Sequence, residues 1–260
     1  MSTFENGEDS YIIYMYREII ANNIERKRLM LSGFERLKEA FSSSDKEELV
    51  SVNLDLGKCK LIPVLKIKEI TPEDAVRCAE VLIENGIIAM EIMFRRHSDS
   101  IAIKSIAKEF PDFYIGAGGV LNSDQLLRVV DSNARFATAP GVDMHTLREA
   151  NRNKIMFAPG VTTPTNLQMI LRTGLLDFQF FPAEQAGGAA FIEAMMSPFE
   201  HLPIDVFPKG GITIEKISEY LKLDHVRCVF VDDIITVEDI ENKNFEAIGL
   251  RAKKAVEAAG

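Results

Sequence analysis

The spacing of apolar residues changes its rhythm near residue 59. Before that point Tyr11, Tyr14, Met15, Ile19 and Ile20 recur at helical spacing, as do Leu29, Met30, Phe34, Leu37 and Phe41. Ser44-Asp45-Lys46-Glu47 has the form of a capping box that opens a further helical turn. This pattern predicts a helical N-terminal extension over 1–58. After it come short apolar runs at 61–67, 88–94, 113–116, 135–139, 155–158, 177–181, 204–207 and 226–231, each followed by an amphipathic stretch. Thr71-Pro72, Asn122-Ser123, Thr163-Pro164 and Thr213-Ile214 are helix-opening signals, and Gly86 closes the first helix. Eight strand–helix repeats over 59–260 predict an α/β fold, a closed (β/α)8 TIM barrel carrying the extension. No GxGxxG follows the first run, which argues against a dinucleotide fold.

In such barrels the chemistry sits where the strands end and the following loops begin. The first run ends at Lys66, and the second holds Glu91 within Ile-Ala-Met-Glu-Ile-Met-Phe and leads to Arg95. A carboxylate in that setting must be paired, protonated or at work, because burying it alone costs several kcal/mol. The plain structural reading is an ion pair with Arg95 or a lysine. The other run ends supply Gly116-Ala117-Gly118-Gly119, Pro140-Gly141, Thr162-Thr163, Gln179 with Phe181, Lys209-Gly210-Gly211, and Asp232-Asp233. Gly210-Gly211 before the helix signal at Thr213 lets backbone amides face an anion.

Charge removes several function classes. The chain has 260 residues, with 30 Lys and Arg against 39 Asp and Glu, a formal charge of −9. That balance opposes a broad nucleic-acid surface. No apolar run approaches the ~20 residues of a membrane span. Cys59, Cys78 and Cys228 are scattered and odd in number, so neither a disulfide framework nor a metal site is expected. The acidic start Met1-Ser-Thr-Phe-Glu-Asn-Gly-Glu-Asp is unlike a signal peptide, which leads to the expectation of a cytoplasmic protein. The four histidines, His97, His145, His201 and His225, form no metal spacing or triad.

Six stretches, in order and at matching intervals, carry a resemblance. They are Ile62-Pro-Val-Leu65, Met90-Glu-Ile-Met-Phe-Arg95, Gly116-Ala-Gly-Gly-Val-Leu121, Pro159-Gly-Val-Thr-Thr-Pro-Thr165, Phe180-Phe-Pro-Ala-Glu184 and Pro208-Lys-Gly-Gly-Ile212. Together they resemble the bacterial 2-keto-3-deoxy-6-phosphogluconate (KDPG) and 4-hydroxy-2-oxoglutarate (KHG) aldolases, from about residue 59 to the end. The resemblance implies a trimeric (β/α)8 class I aldolase, without a cofactor, that splits a 2-keto-4-hydroxy acid into pyruvate and an aldehyde. It matches Glu91 to the proton-shuttling glutamate, Arg95 to the carboxylate-binding arginine, and Pro140 and Phe181 to the pyruvate pocket. Lys66, Gly118, Gly119, Thr162, Gly210, Gly211 and Asp232 fall at further substrate-facing positions.

The departures concern the chemistry itself. The family motif Phe-Lys-Phe-Phe-Pro reads Phe178-Gln179-Phe180-Phe181-Pro182, so the Schiff-base lysine is Gln179, whose amide cannot condense with a ketone. The family's Pro-Thr-Gly-Gly reads Pro208-Lys209-Gly210-Gly211, placing a new lysine on the neighbouring strand. Adjacent strands lie ~4.8 Å apart and a lysine stem covers that distance. This yields the expectation that Lys209 is the relocated imine nucleophile, with Arg95 and Lys66 nearby. The alternative is that Lys209 binds a substrate anion or pairs with an acid such as Glu91. Gly119 replaces a threonine near the carboxylate, and Asp232-Asp233 stand where the family has a Gly-Gly-Ser phosphate loop. A like-charge contact at ~4 Å costs about 4 kcal/mol at an effective dielectric near 20, which opposes a phosphorylated substrate. The contrasting reading is a non-catalytic barrel that binds a sugar acid or a protein partner. A third is an enzyme that enolises or decarboxylates keto acids without cleaving them.

Overall fold

The computed structural model describes residues 56–260. The expected N-terminal helices, including the Ser44 capping box, lie outside the described residues. The described chain opens with a 3-10 turn, Leu56–Cys59, whose Leu56 is buried with Ile62 and Cys228 under the floor of the barrel.

Parallel strands and helices then alternate. The strands are β1 Leu61–Leu65, β2 Ala89–Met93, β3 Tyr114–Gly118, β4 Phe136–Thr138, β5 Met156–Ala158, β6 Gly160–Val161, β7 Asp177–Phe180, β8 Asp205–Pro208 and β9 Val229–Val231. The longer helices between and after them are α1 Pro72–Glu84, α2 His97–Glu109, α3 Ser123–Asp131, α4 Met144–Arg152, α5 Pro164–Leu171, α6 Gly188–Met196, α7 Ile217–Leu221, α8 Val237–Glu241 and α9 Phe245–Ala259. Several begin as the sequence indicates. Thr71, Asn122 and Thr163 each accept a backbone N–H in the first turn, with Pro72 and Pro164 inside the start of their helices.

β5 and β6 are one barrel position divided by Pro159. Proline has no N–H for the ladder, so hydrogen bonding is recorded as two sheets, β5-β4-β3-β2-β1-β9 and β6-β7-β8. The seam is stitched by Gln179 N donating to Pro159 O at 2.9 Å. A parallel bridge between Val206 and Val226, with Asp232 N donating to Ile212 O at 2.9 Å, joins β8 to β9 and closes the circle. The chain is therefore a (β/α)8 TIM barrel, as its periodicity predicts. The apolar run at 155–158 is continued by Gly160-Val161, so proline interrupts the strand rather than ending it.

Two apolar cores follow from the strand period of two. Outward positions such as Ile92, Ile115, Phe178 and Phe180 pack beneath the helices. Inward positions, among them Ile62, Val64, Ala89, Phe136, Met156, Ala158, Phe207 and Phe230, fill the barrel itself. The Phe136 and Phe230 rings meet edge-on at 6.2 Å between centroids. Gly116 is required by this filling, since a Cβ there would lie 2.2 Å from the fully buried Phe136 ring. Gly116→Ala is expected to destabilise the barrel by roughly 1–3 kcal/mol, lowering the midpoint of a thermal melt by several degrees.

Candidate active site

Moving one inward step along each strand, from the apolar filling toward the carboxyl ends, replaces carbon with polar atoms. Beyond Ala89 comes Glu91, beyond Phe136 comes Thr138, and beyond Phe207 comes Lys209, immediately after β8. Strand register places Glu91 beside Gly116 and Gln179 beside Phe207. Glu91, Thr138, Gln179 and Lys209 are all buried.

The centre of the cluster is an ion pair between Lys209 Nζ and Glu91 Oε1. Thr138 completes a triangle: its hydroxyl donates to Glu91 Oε2 at 2.7 Å and accepts from Lys209 Nζ at 3.2 Å. The ammonium also lies 5.4 Å from the centroid of the Phe230 ring, a favourable placement for a cation. Gly118 provides the room. A Cβ there would sit 2.1 Å from Glu91 Oε1 and 2.9 Å from Lys209 Nζ.

Of the alternatives open for Glu91, the structure shows a buried pair, and the partner is Lys209 rather than Arg95. Lys209 Nζ donates to Glu91 and to Thr138. Arg95 is exposed just past β2, its backbone N–H donating to Asp99 at 2.7 Å. Lys66 instead pairs with Asp232 at 2.6 Å. Asp232 also accepts the Gly211 N–H at 2.7 Å, so one carboxylate engages both groups expected to meet a substrate anion. Asp233 turns away and caps the 3-10 turn Ile214–Lys216, accepting from Ile214 N at 3.1 and 3.3 Å. Burial holds its carboxyl above the usual range despite that hydrogen bond.

Gln179 donates through Nε2 to Ala139 O at 3.1 Å, and its Oε1 is buried with no hydrogen-bond partner. Asp232 Oδ1 is in the same condition. The remaining expected residues ring the mouth. Thr162 donates to Phe181 O at 2.5 Å, and the exposed Pro140 presses its carbonyl 2.2 Å from where a Cβ of Gly160 would lie. Gly119 and Gly210 adopt the left-handed backbone region, with φ of 74° and 107°. Thr138 is the residue the sequence reading missed. Its signal was present: it is a lone hydroxyl two positions beyond Phe136 in an otherwise apolar run.

Residues 52–250 match the family model described as KDPG and KHG aldolase. The chain is 34% identical over 199 residues to the KHG/KDPG aldolase of Escherichia coli K12, covering 76% of this chain and 92% of that protein. The chain belongs to the KDPG and KHG aldolase family. The 2-dehydro-3-deoxy-phosphogluconate aldolase of Pseudoalteromonas atlantica is 36% identical over 199 residues, 76% of this chain and 91% of that one. Among solved structures, the KDPG aldolase of Legionella pneumophila, captured with pyruvate as a covalent carbinolamine, superposes with a TM-score of 0.71 at 35% identity. It covers 76% of this chain and 94% of its own. The Zymomonas mobilis KDPG aldolase with 3-phosphoglycerate gives 0.70 at 30% identity, over 79% of this chain and 96% of that one. This family member is an aldolase-type carbon–carbon lyase. No helix among the described residues is long and apolar enough to cross a membrane, and these residues hold no cluster suited to a metal ion.

The loop of this aldolase after β7 is anchored independently of the central pair. Glu184 accepts from Tyr220 at 2.6 Å and pairs with Lys216. Burial pushes the Glu184 carboxyl up, but the Lys216 and Tyr220 hydrogen bonds outweigh it and leave the group below its ordinary value of 4.5. Folding thus favours the ionised form. The stabilisation is present above about 4.5 and fades as pH falls through the depressed folded value. Glu184→Gln is expected to be less stable than the parent at pH 7, with the gap in urea midpoints closing under acid conditions. In the central cluster, Thr138→Val removes a donor to Glu91 and an acceptor from Lys209. It is expected to cost roughly 1–3 kcal/mol in urea unfolding, while Thr138→Ser retains most of the parent stability.

Proposed function

We propose that this family member is a class I aldolase acting on a 2-keto-3-deoxy sugar acid, with Lys209 rather than a lysine at position 179 as the imine-forming residue. The supporting observation is the buried Lys209–Glu91–Thr138 triangle at the carboxyl end of the barrel, with Gln179 on the adjacent strand. An amine enclosed beside a carboxylate has its proton acceptor already in place.

In the proposed sequence, a proton passes from Lys209 Nζ to Glu91 along the existing hydrogen bond, leaving a neutral amine. Its lone pair attacks the keto carbon, the carbonyl oxygen becomes the carbinolamine hydroxyl, and Glu91 returns the proton as that hydroxyl leaves as water. The product is an iminium. Glu91, again a carboxylate, removes the proton of the C4 hydroxyl. The electron pair of the C3–C4 bond moves toward the iminium nitrogen, and the aldehyde departs. The enamine then takes back a proton at C3, and water hydrolyses the imine to release pyruvate and Lys209. Thr138 holds Glu91 in register, and Arg95 at the rim receives the substrate carboxylate. Gln179 presents its free carbonyl oxygen to a hydroxyl of the bound intermediate. We further propose a homotrimer of barrels acting in the cytoplasm, where the buried thiols of Cys78 and Cys228 would stay reduced.

A binding protein without catalysis is the competing reading, favoured by Gln179, which cannot form an imine. Incubation with pyruvate and borohydride, followed by intact mass and peptide mapping, separates the two. The aldolase reading expects a reduced adduct on Lys209 that disappears in Lys209→Met. Because that variant strands the Glu91 carboxylate at a cost of ~3–5 kcal/mol, the double variant Lys209→Met with Glu91→Gln is the folded control. An adduct on another lysine, or none, overturns the assignment.

A further inference from the structure

We infer that Asp232 determines specificity at the far end of the substrate, selecting an uncharged, hydroxylated tail over an anionic one. The inference rests on the reading of the chain as an aldolase for 2-keto-3-deoxy acids and deepens it. The observation that carries it is a carboxylate that already engages both a lysine ammonium and a glycine amide at the ends of neighbouring strands.

Three elements converge at this point of the mouth. Lys66 follows β1, Gly211 follows β8 and Asp232 follows β9, on neighbouring strands of the closed barrel. A lysine and a glycine amide aimed at one position form a ready anion site. Here both are already engaged by Asp232 Oδ2, through the 2.6 Å pair with Lys66 and the 2.7 Å hydrogen bond from Gly211. A phosphate arriving at this position would find its donors taken and a negative charge in place. The other carboxylate oxygen points to what does fit. Asp232 Oδ1 is buried with no hydrogen-bond partner, and an ionised carboxylate oxygen can only accept. The group that satisfies it is a donor such as an alcohol O–H. Lys66 is 43% exposed, and a pair of that kind holds its geometry weakly, so a substrate hydroxyl can enter beside it.

Asp233 does not share this task. Its carboxylate is committed to the Ile214 N–H. Gln179 Oε1, on β7, is a second buried oxygen without a hydrogen-bond partner and likewise offers an acceptor for a hydroxyl rather than a donor for an anion. Both unpartnered acceptors therefore suit a hydroxylated chain.

The test compares two sugar acids that lack a ketone and so bind without forming an imine: gluconate and 6-phosphogluconate, titrated calorimetrically into the full chain. The parent is expected to bind gluconate at least about tenfold more tightly, since the ester places a second negative charge against Asp232. Asp232→Ser, which frees the Gly211 amide and Lys66, is expected to reverse the order. Asp232→Asn keeps the shape and loses the charge, so it should narrow the gap, and it guards against misfolding of the serine variant. Tighter binding of the phosphate ester by the parent, an unchanged order in both variants, or no measurable binding of either acid overturns the inference. Pyruvate trapping on Lys209 is read separately in the same proteins. Trapping without the expected preference removes the tail assignment alone; the preference without trapping removes the imine assignment alone.

Discussion

A charged pair sealed inside a barrel is the constraint around which this site is arranged. Neither Lys209 nor Glu91 could be buried alone, because an unpaired charge in that environment costs several kcal/mol. The barrel meets the requirement by geometry. β2 and β8 lie apart in the sheet order, so the pair spans the interior, and the space between is kept open by the missing side chain of Gly118. Thr138 satisfies the second carboxylate oxygen, and Phe230 closes the layer from β9. Below this polar layer the interior is apolar, with Phe136 occupying the space that Gly116 vacates. The glycines of β3 thus serve two successive layers, one aromatic and one ionic.

The rim follows a different electrostatic logic from the centre. At the centre a cation and an anion neutralise each other. At the rim a carboxylate has taken over a position whose surrounding donors suit an anion from outside. Family membership explains the scaffold on which both arrangements sit. Gln179 lies on β7, and Lys209 and Asp232 directly follow β8 and β9, three consecutive positions of the barrel.

Most of the fold was legible along the chain. Parallel strands buried on both faces read as continuous apolar runs, and helices announce themselves through Thr-Pro and Asn caps. The fifth strand extends past its apolar run because a barrel position tolerates the missing N–H of Pro159 when the neighbouring strand bonds across it. Thr138 passed unnoticed for a related reason. A single hydroxyl in a short apolar run carries weight only when its facing partners are known, and those come from strands far away in sequence.

The sequence by itself determined the alternation of strands and helices, the strand ends that carry polar residues, and the presence there of Gln179 and Lys209. Those are properties of local pattern and residue chemistry, readable without coordinates. Only the tertiary structure decided partnership: Lys209 with Glu91 and Thr138, Lys66 with Asp232, Asp233 with a helix start. Each of these joins segments remote along the chain. Charge pairing depends on distances of a few ångströms, and the closure of the barrel sets them.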